Sequence, residues 1–243
     1  MHGHTSLVTD LNDSRKHLKG YTRGGYLEGM LRPLYTYLIS SLFITLMSVH
    51  VYGHPVTFKN GSAFTMRSMP NNVSAEFNYT FHPKWAVTTS LLNRQIEAEE
   101  LKMGSIGLNS LVKRWNYKHS QANVYLLSSV GLRIEESPDD PVFGGGLQLD
   151  YETTTFYTAL RGNLRYVNGE QWSDLVYRIG VAPYEAGYKS LQSWLIGQVM
   201  YMRAPGGYML RPMGLLRFFY RTVLWEVGAD SMGLPWLQLM VHF

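Results

Sequence analysis

The sequence contains no cysteine and little charge. Without cysteine there is no disulfide framework, no thiolate metal site and no cysteine nucleophile. Charged residues make up 16% of the chain, against about a quarter in an ordinary soluble domain. No run of Lys or Arg stands out, and the formal net charge of +4 is spread thinly, which argues against a nucleic-acid partner. Sustained helical periodicity is also missing after residue 54, so strands must organise that part. What the chain has instead is apolar and aromatic surface: 45% hydrophobic residues, with 17 Tyr and 6 Trp.

One segment alone reads as a long apolar helix, Leu34 to Val51, with Arg32 before it and Val51-Tyr52-Gly53 after it. A basic start, an apolar stretch somewhat short of the roughly 20 residues that span a bilayer, and small or modest residues at the cleavage positions describe a secretory signal. Residues 1–29 are polar and aperiodic, and Met30 makes a compact start for that signal. Residues 1–53 are therefore expected to be an N-terminal extension plus signal peptide, with 54–243 as one domain. The alternative is a tail on a membrane anchor.

From residue 54 on, apolar and polar residues alternate in segments of about nine to fifteen residues divided by turn chemistry. Val73, Ala75, Phe77, Tyr79 and Phe81 share one face, and Ser74, Glu76, Asn78 and Thr80 the other. The same alternation returns around Leu126, Leu149, Leu164, Tyr177 and Trp225. These strands are long for a sandwich and suit a tilted membrane crossing, and aromatics gather at their ends as in an interfacial girdle. The expected fold is all-β: a transmembrane, antiparallel, up-and-down barrel of about twelve strands beginning with Thr57 to Met66. Ten strands is the alternative, if Leu215 to Ala229 is one strand and the first hairpin is not in the wall. Tight turns are expected at 82–84, 116–119, 152–153, 183–188 and 221–222. Longer loops are expected at 68–72, 94–100, 135–142, 168–173, 204–212 and 231–234.

The chain closes on Trp236-Leu237-Gln238-Leu239-Met240-Val241-His242-Phe243, with Leu237, Leu239, Val241 and Phe243 at every second position. This ending resembles the C-terminal signature of Gram-negative outer-membrane proteins. The resemblance implies an outer-membrane location after signal removal, the barrel-assembly machinery as a partner, and outer-membrane lipid and lipopolysaccharide around the wall. A looser resemblance, carried by His54-Pro55-Val56, Lys59-Asn60-Gly61 and the final Phe, links the chain to a group of proteobacterial envelope proteins and implies no activity.

Arg161, Arg165, Arg178, Arg217 and Arg221 fall at polar-side positions of late strands, and Glu76, Asp150 and Glu226 face the same way. Rings of charge tune pore selectivity, so these residues are candidate lumen-lining groups of a porin-like channel for small polar or anionic solutes. The competing reading is an ion-pair network that fills a narrow barrel. A hydrolase would need a nucleophile beside a base. His82, His119 and His242 fall instead at turns or at the chain end, so no enzyme is expected. No cofactor is required either. Copper is the one candidate: a chain starting at His54 would offer an α-amine and an imidazole, and Met200, Met202, Met209 and Met213 could add thioethers. Gly144-Gly145-Gly146 lacks the Lys-Ser/Thr partner of a phosphate loop and is expected to relieve crowding in a curved strand.

Overall fold

The computed structural model describes residues 54–134, 140–187 and 189–243. The expected extension, signal segment, Met30 start and cleavage after Gly53 lie outside the described residues, as does the anchor alternative.

Twelve strands follow one another: β1 (Ser62–Met69), β2 (Asn72–His82), β3 (Trp85–Ile96), β4 (Glu99–Asn116), β5 (Ser120–Arg133), β6 (Pro141–Thr153), β7 (Phe156–Val167), β8 (Glu170–Val181), β9 (Gln192–Ala204), β10 (Gly207–Tyr220), β11 (Val223–Asp230) and β12 (Pro235–His242). Each pairs antiparallel with the next, and β12 returns to β1 to close the barrel. At the seam Phe64 stands opposite Val241 and Met66 opposite Leu239. Phe243 completes it through paired backbone bonds with Ser62, at 2.8 and 3.0 Å. Closure leaves no strand edge unpaired, which a sheet in hydrocarbon requires.

The alternation in the sequence becomes an inside and an outside. Phe77, Leu91, Ile106, Leu126, Leu147 and Leu195 stand exposed on the outer wall, where a soluble protein would not leave so continuous an apolar surface. Leu237 and Leu239 of β12 belong to that wall. Aromatics ring it near one end, with Tyr79, Phe81, Trp85, Trp115, Tyr151 and Tyr220 all exposed, while Phe143, Tyr166 and Tyr208 mark the other. An apolar band between aromatic rings is the wall of a transmembrane β-barrel. We call the end where β1 begins and β12 finishes the near end, and the opposite one the far end.

Three expectations are corrected. Four of the six long far-end loops shrink, because the strands run on into them, while the connection at 231–234 stands as expected. Pro70-Asn71, Glu97-Ala98, Asn168-Gly169 and Pro205-Gly206 are two-residue turns. Positive φ at Asn71, Glu97, Asn168 and Gly169 lets the chain reverse there. Conversely, the turn expected at 183–188 is a longer connection between Val181 and Gln192. The first strand starts at Ser62 rather than Thr57, since residues 54–57 turn into the barrel interior. The ten-strand alternative fails at Arg221, whose φ of 54° ends β10 and separates it from β11.

The glycine run does relieve crowding. A Cβ on Gly146 would press against Asn163 and the Gly162 carbonyl, and one on Gly144 against the Ser129 hydroxyl. These positions are where β6 packs tightly between β5 and β7.

Candidate functional site

Among the described residues, the inward face of the barrel has three layers. The far layer is apolar. Ile96, Leu101, Val142, Val167 and Trp172 are buried there with methionines 69, 103, 200, 202 and 213, and Met209 packs against them. The hairpin turns close over this layer from opposite sides. Glu97, in the β3–β4 turn, reaches Gly207 of β10 so closely that a side chain there would strike its carboxylate, and Glu99 sits against Gly206 in the same way. Arg211 and Asp230 make a buried pair at 2.9 Å in this half of the barrel.

The middle layer is charged and built as three carboxylates, each between two arginines. Asp174 is held by Arg165 at 2.7 Å and Arg94 at 2.9 Å, and also accepts from the Asn163 amide at 2.6 Å. Glu226, fully buried, is held by Arg217 at 2.6 Å and by both terminal nitrogens of Arg178, at 3.0 and 3.1 Å. Arg217 also lies over the Tyr157 ring at 4.7 Å. Glu76 is held loosely, by Arg161 at 3.7 Å and Arg67 at 3.9 Å. The groups surround a cavity of about 220 Å³.

Six arginines against three carboxylates leave three excess positive charges in this layer. A guanidinium stays charged in any protein environment, so the excess persists at every physiological pH.

The near layer is a plug made from the chain itself. Residues 54–57 enter the lumen instead of joining the wall. Val56 is fully buried against Ala86, Leu111, Tyr125 and Leu127. Thr57 donates its backbone N–H to the Thr80 hydroxyl at 3.0 Å, and the two hydroxyls meet at 2.9 Å. Asn109 reaches the Pro55 carbonyl. His54 lies along the Tyr125 ring, 6.0 Å between centroids, with Nδ1 3.6 Å from Asp150 and Nε2 3.2 Å from Glu152. Burial alone would lower its pKa. Hydrogen bonds and charge from Asp150 and Glu152 overcome that and push it up to about 9. His54 is therefore cationic at neutral pH. With Arg114, which donates to Asn123 and Tyr125 in the same layer, it offsets Asp150 and Glu152, so the excess of three is unchanged.

The expected lumen residues are thus brought together with one exception. Arg161, Arg165, Arg178, Arg217, Glu76 and Asp150 border the central cavity, and Glu226 lies behind two of the arginines. Arg221 does not belong with them. It sits exposed in the near-end turn, stacked 5.1 Å from the Tyr220 ring. The turn ends the alternation one residue before it, so its parity carries no meaning.

Arg67, Arg94 and Asp174 belong to the site but escape a reading of the sequence. Arg94 and Asp174 lie at or beside positions that read as loops, and Arg67 lies in a first strand expected to stop at Met66.

No protein-family model matches the chain, and no curated protein matches it in sequence. Among solved structures, it is similar to the KdgM porin in complex with disordered oligogalacturonate, with 10% identity and a TM-score of 0.47 over 75% of this chain and 98% of that one. It is similar also to the KdgM porin alone, with 11% identity and a TM-score of 0.46 over the same shares.

The remaining candidates have plain placements. His82 accepts from the Lys84 N–H in a near-end turn, His119 lies in the turn after β4, and His242 is buried in β12. Met202 and Met209 are cross-strand partners. Met202, Met209 and Met213 accept hydrogen bonds from Asn72, Arg211 and Gln198. Among the described residues no group of three or more His, Asp or Glu could hold a metal ion, and copper on one ring nitrogen of His54 would displace the carboxylate on that side.

Proposed function

We propose that this barrel is a porin-like outer-membrane passage for small anionic solutes, closed in the present conformation, with its near end toward the periplasm. One observation carries the reading: the central layer has three more arginines than carboxylates around a cavity of about 220 Å³. A network that served only to fill the barrel would balance its charges, since uncompensated buried charge is costly. A standing positive excess in a low-dielectric lumen draws anions and repels cations.

Passage requires both end layers to yield. The near plug is a short segment with few anchors. The far layer is rich in methionine, the unbranched and adaptable apolar side chain, so it can repack without a large change in the wall. The wall itself would be surrounded by outer-membrane lipid, with lipopolysaccharide at the far end.

Liposome swelling tests the reading. Proteoliposomes holding the barrel should admit a small carboxylate faster than a cation of equal size. Equal rates, or faster cation entry, would remove it.

A further inference from the structure

The six central arginines are not equivalent, and their commitments sort them. Arg94, Arg165, Arg178 and Arg217 each hold a carboxylate at 3.0 Å or closer. Arg161 makes no hydrogen bond to any described residue; its one carboxylate contact is Glu76 at 3.7 Å. Its side chain keeps 28% of its surface exposed, the most of the six. It also borders both the central cavity and a smaller one of about 70 Å³ beside it. Arg67 is next: it gives Nε to Gln238 at 3.0 Å, leaving its terminal nitrogens toward Glu76 at 3.9 Å, with 26% exposed.

A guanidinium in a low-dielectric site normally closes on its carboxylate at about 2.7–2.9 Å. Here two guanidiniums converge on one carboxylate and neither closes. Glu76 is meanwhile fixed from the side by the Asn78 amide at 2.8 Å. Together Arg161, Arg67 and Glu76 carry one net positive charge. The gaps of 3.7 and 3.9 Å leave the terminal guanidinium donors of both arginines unclosed on Glu76 and open to a second acceptor on their lumen side.

We infer that Arg161, assisted by Arg67, is the anion-binding site of the lumen, taking one oxyanion group, carboxylate or phosphate-like, on its planar fork, while the other four arginines hold the barrel together. This rests on the anion-passage reading, but it assigns a stationary site to one side chain. A planar fork matches a two-oxygen group and gains little from a spherical ion, so the site should prefer oxyanions to chloride.

The test is calorimetric titration of the purified full chain with sulfate, with malonate and with chloride, repeated on Arg161→Gln and Arg161→Lys. Wild type should bind sulfate or malonate more tightly than chloride. Arg161→Gln should weaken that binding about tenfold or more, the loss of a charge-assisted hydrogen bond, with an unchanged heat-modifiability midpoint. Arg161→Lys should restore charge-driven affinity and lose the preference over chloride. The ratio of sulfate to malonate affinity separates a phosphate-like group from a carboxylate. Oxyanion binding that is undiminished in Arg161→Gln, or absent in wild type, overturns the assignment. Because binding is read without transport, oxyanion affinity in a barrel that admits no anions would sink the passage reading alone. Anion entry undisturbed by Arg161→Gln would sink only the assignment.

Discussion

The two ends of the lumen are closed by opposite chemistries. The far end is a core: methionines, Trp172 and aliphatic side chains from all round the barrel, buried as in a soluble interior. The near end is a tether: four residues, 54–57, held by one valine, a pair of threonines and the His54 contacts. A core resists by the area it hides from water, which pH barely alters. A tether of this kind takes part of its hold from a protonated imidazole between two acids. A barrel with such ends should be easier to open from the near side, and under conditions that leave the far side intact.

The largest expected effect belongs to the far end. Trp172→Ala should lower barrel stability by about 3–5 kcal/mol, the cost of emptying a large buried aromatic site, read from urea unfolding of the heat-modifiable form. A loss below about 1 kcal/mol would mean that the far layer is not packed as a core.

The next effect is at the near end and depends on pH. His54 has its folded pKa raised from 6.5 to about 9, so its contribution is complete below pH 6.5 and is lost as pH rises through 9. Its magnitude is on the order of a few kcal/mol. Protease sensitivity of residues 54–57 should therefore rise between pH 7 and 10 in wild type. In Glu152→Gln the step should move to lower pH. A plug equally protected at both pH values would break the contrast between the ends.

Smaller again is Val56→Ala, expected to cost about 1.5 kcal/mol of plug docking by lost apolar burial while leaving the urea midpoint of the wall unmoved. A matching fall in wall stability would show plug and wall to be one cooperative unit. Smallest is Arg221→Gln, which should change stability by no more than about 0.5 kcal/mol, as exposed substitutions do, and leave anion entry as it was. A change in selectivity would return Arg221 to the lumen.

Much of this fold is legible in the sequence because a barrel wall is written in period two. Val73, Phe77 and Tyr79 against Glu76 and Asn78 reveal both faces of β2 from residue order alone. The same parity places Arg161, Arg165, Arg178 and Glu226 inside. It fails at Arg221 for a local reason, since a residue with positive φ resets the alternation. It is overruled at the far end too, where residues that read as loop are strand and so bring Arg94 and Asp174 into the site.

Two features carry no signal to read. Pairing across a lumen depends on which strands face each other, and the fold of residues 54–57 back into the barrel leaves no periodic trace. For that reason His54 reads in the sequence as a chelating terminus. In the structure its ring lies between Asp150 and Glu152.

The most direct test of the central claim is the reversal potential of the full chain in a planar bilayer under a tenfold KCl gradient, on wild type and on Glu152→Gln, whose plug is loosened. Current reversing on the chloride side of zero, with more open time in Glu152→Gln, is the predicted result. Reversal on the potassium side, or silence from both proteins, would contradict an anion passage through this lumen.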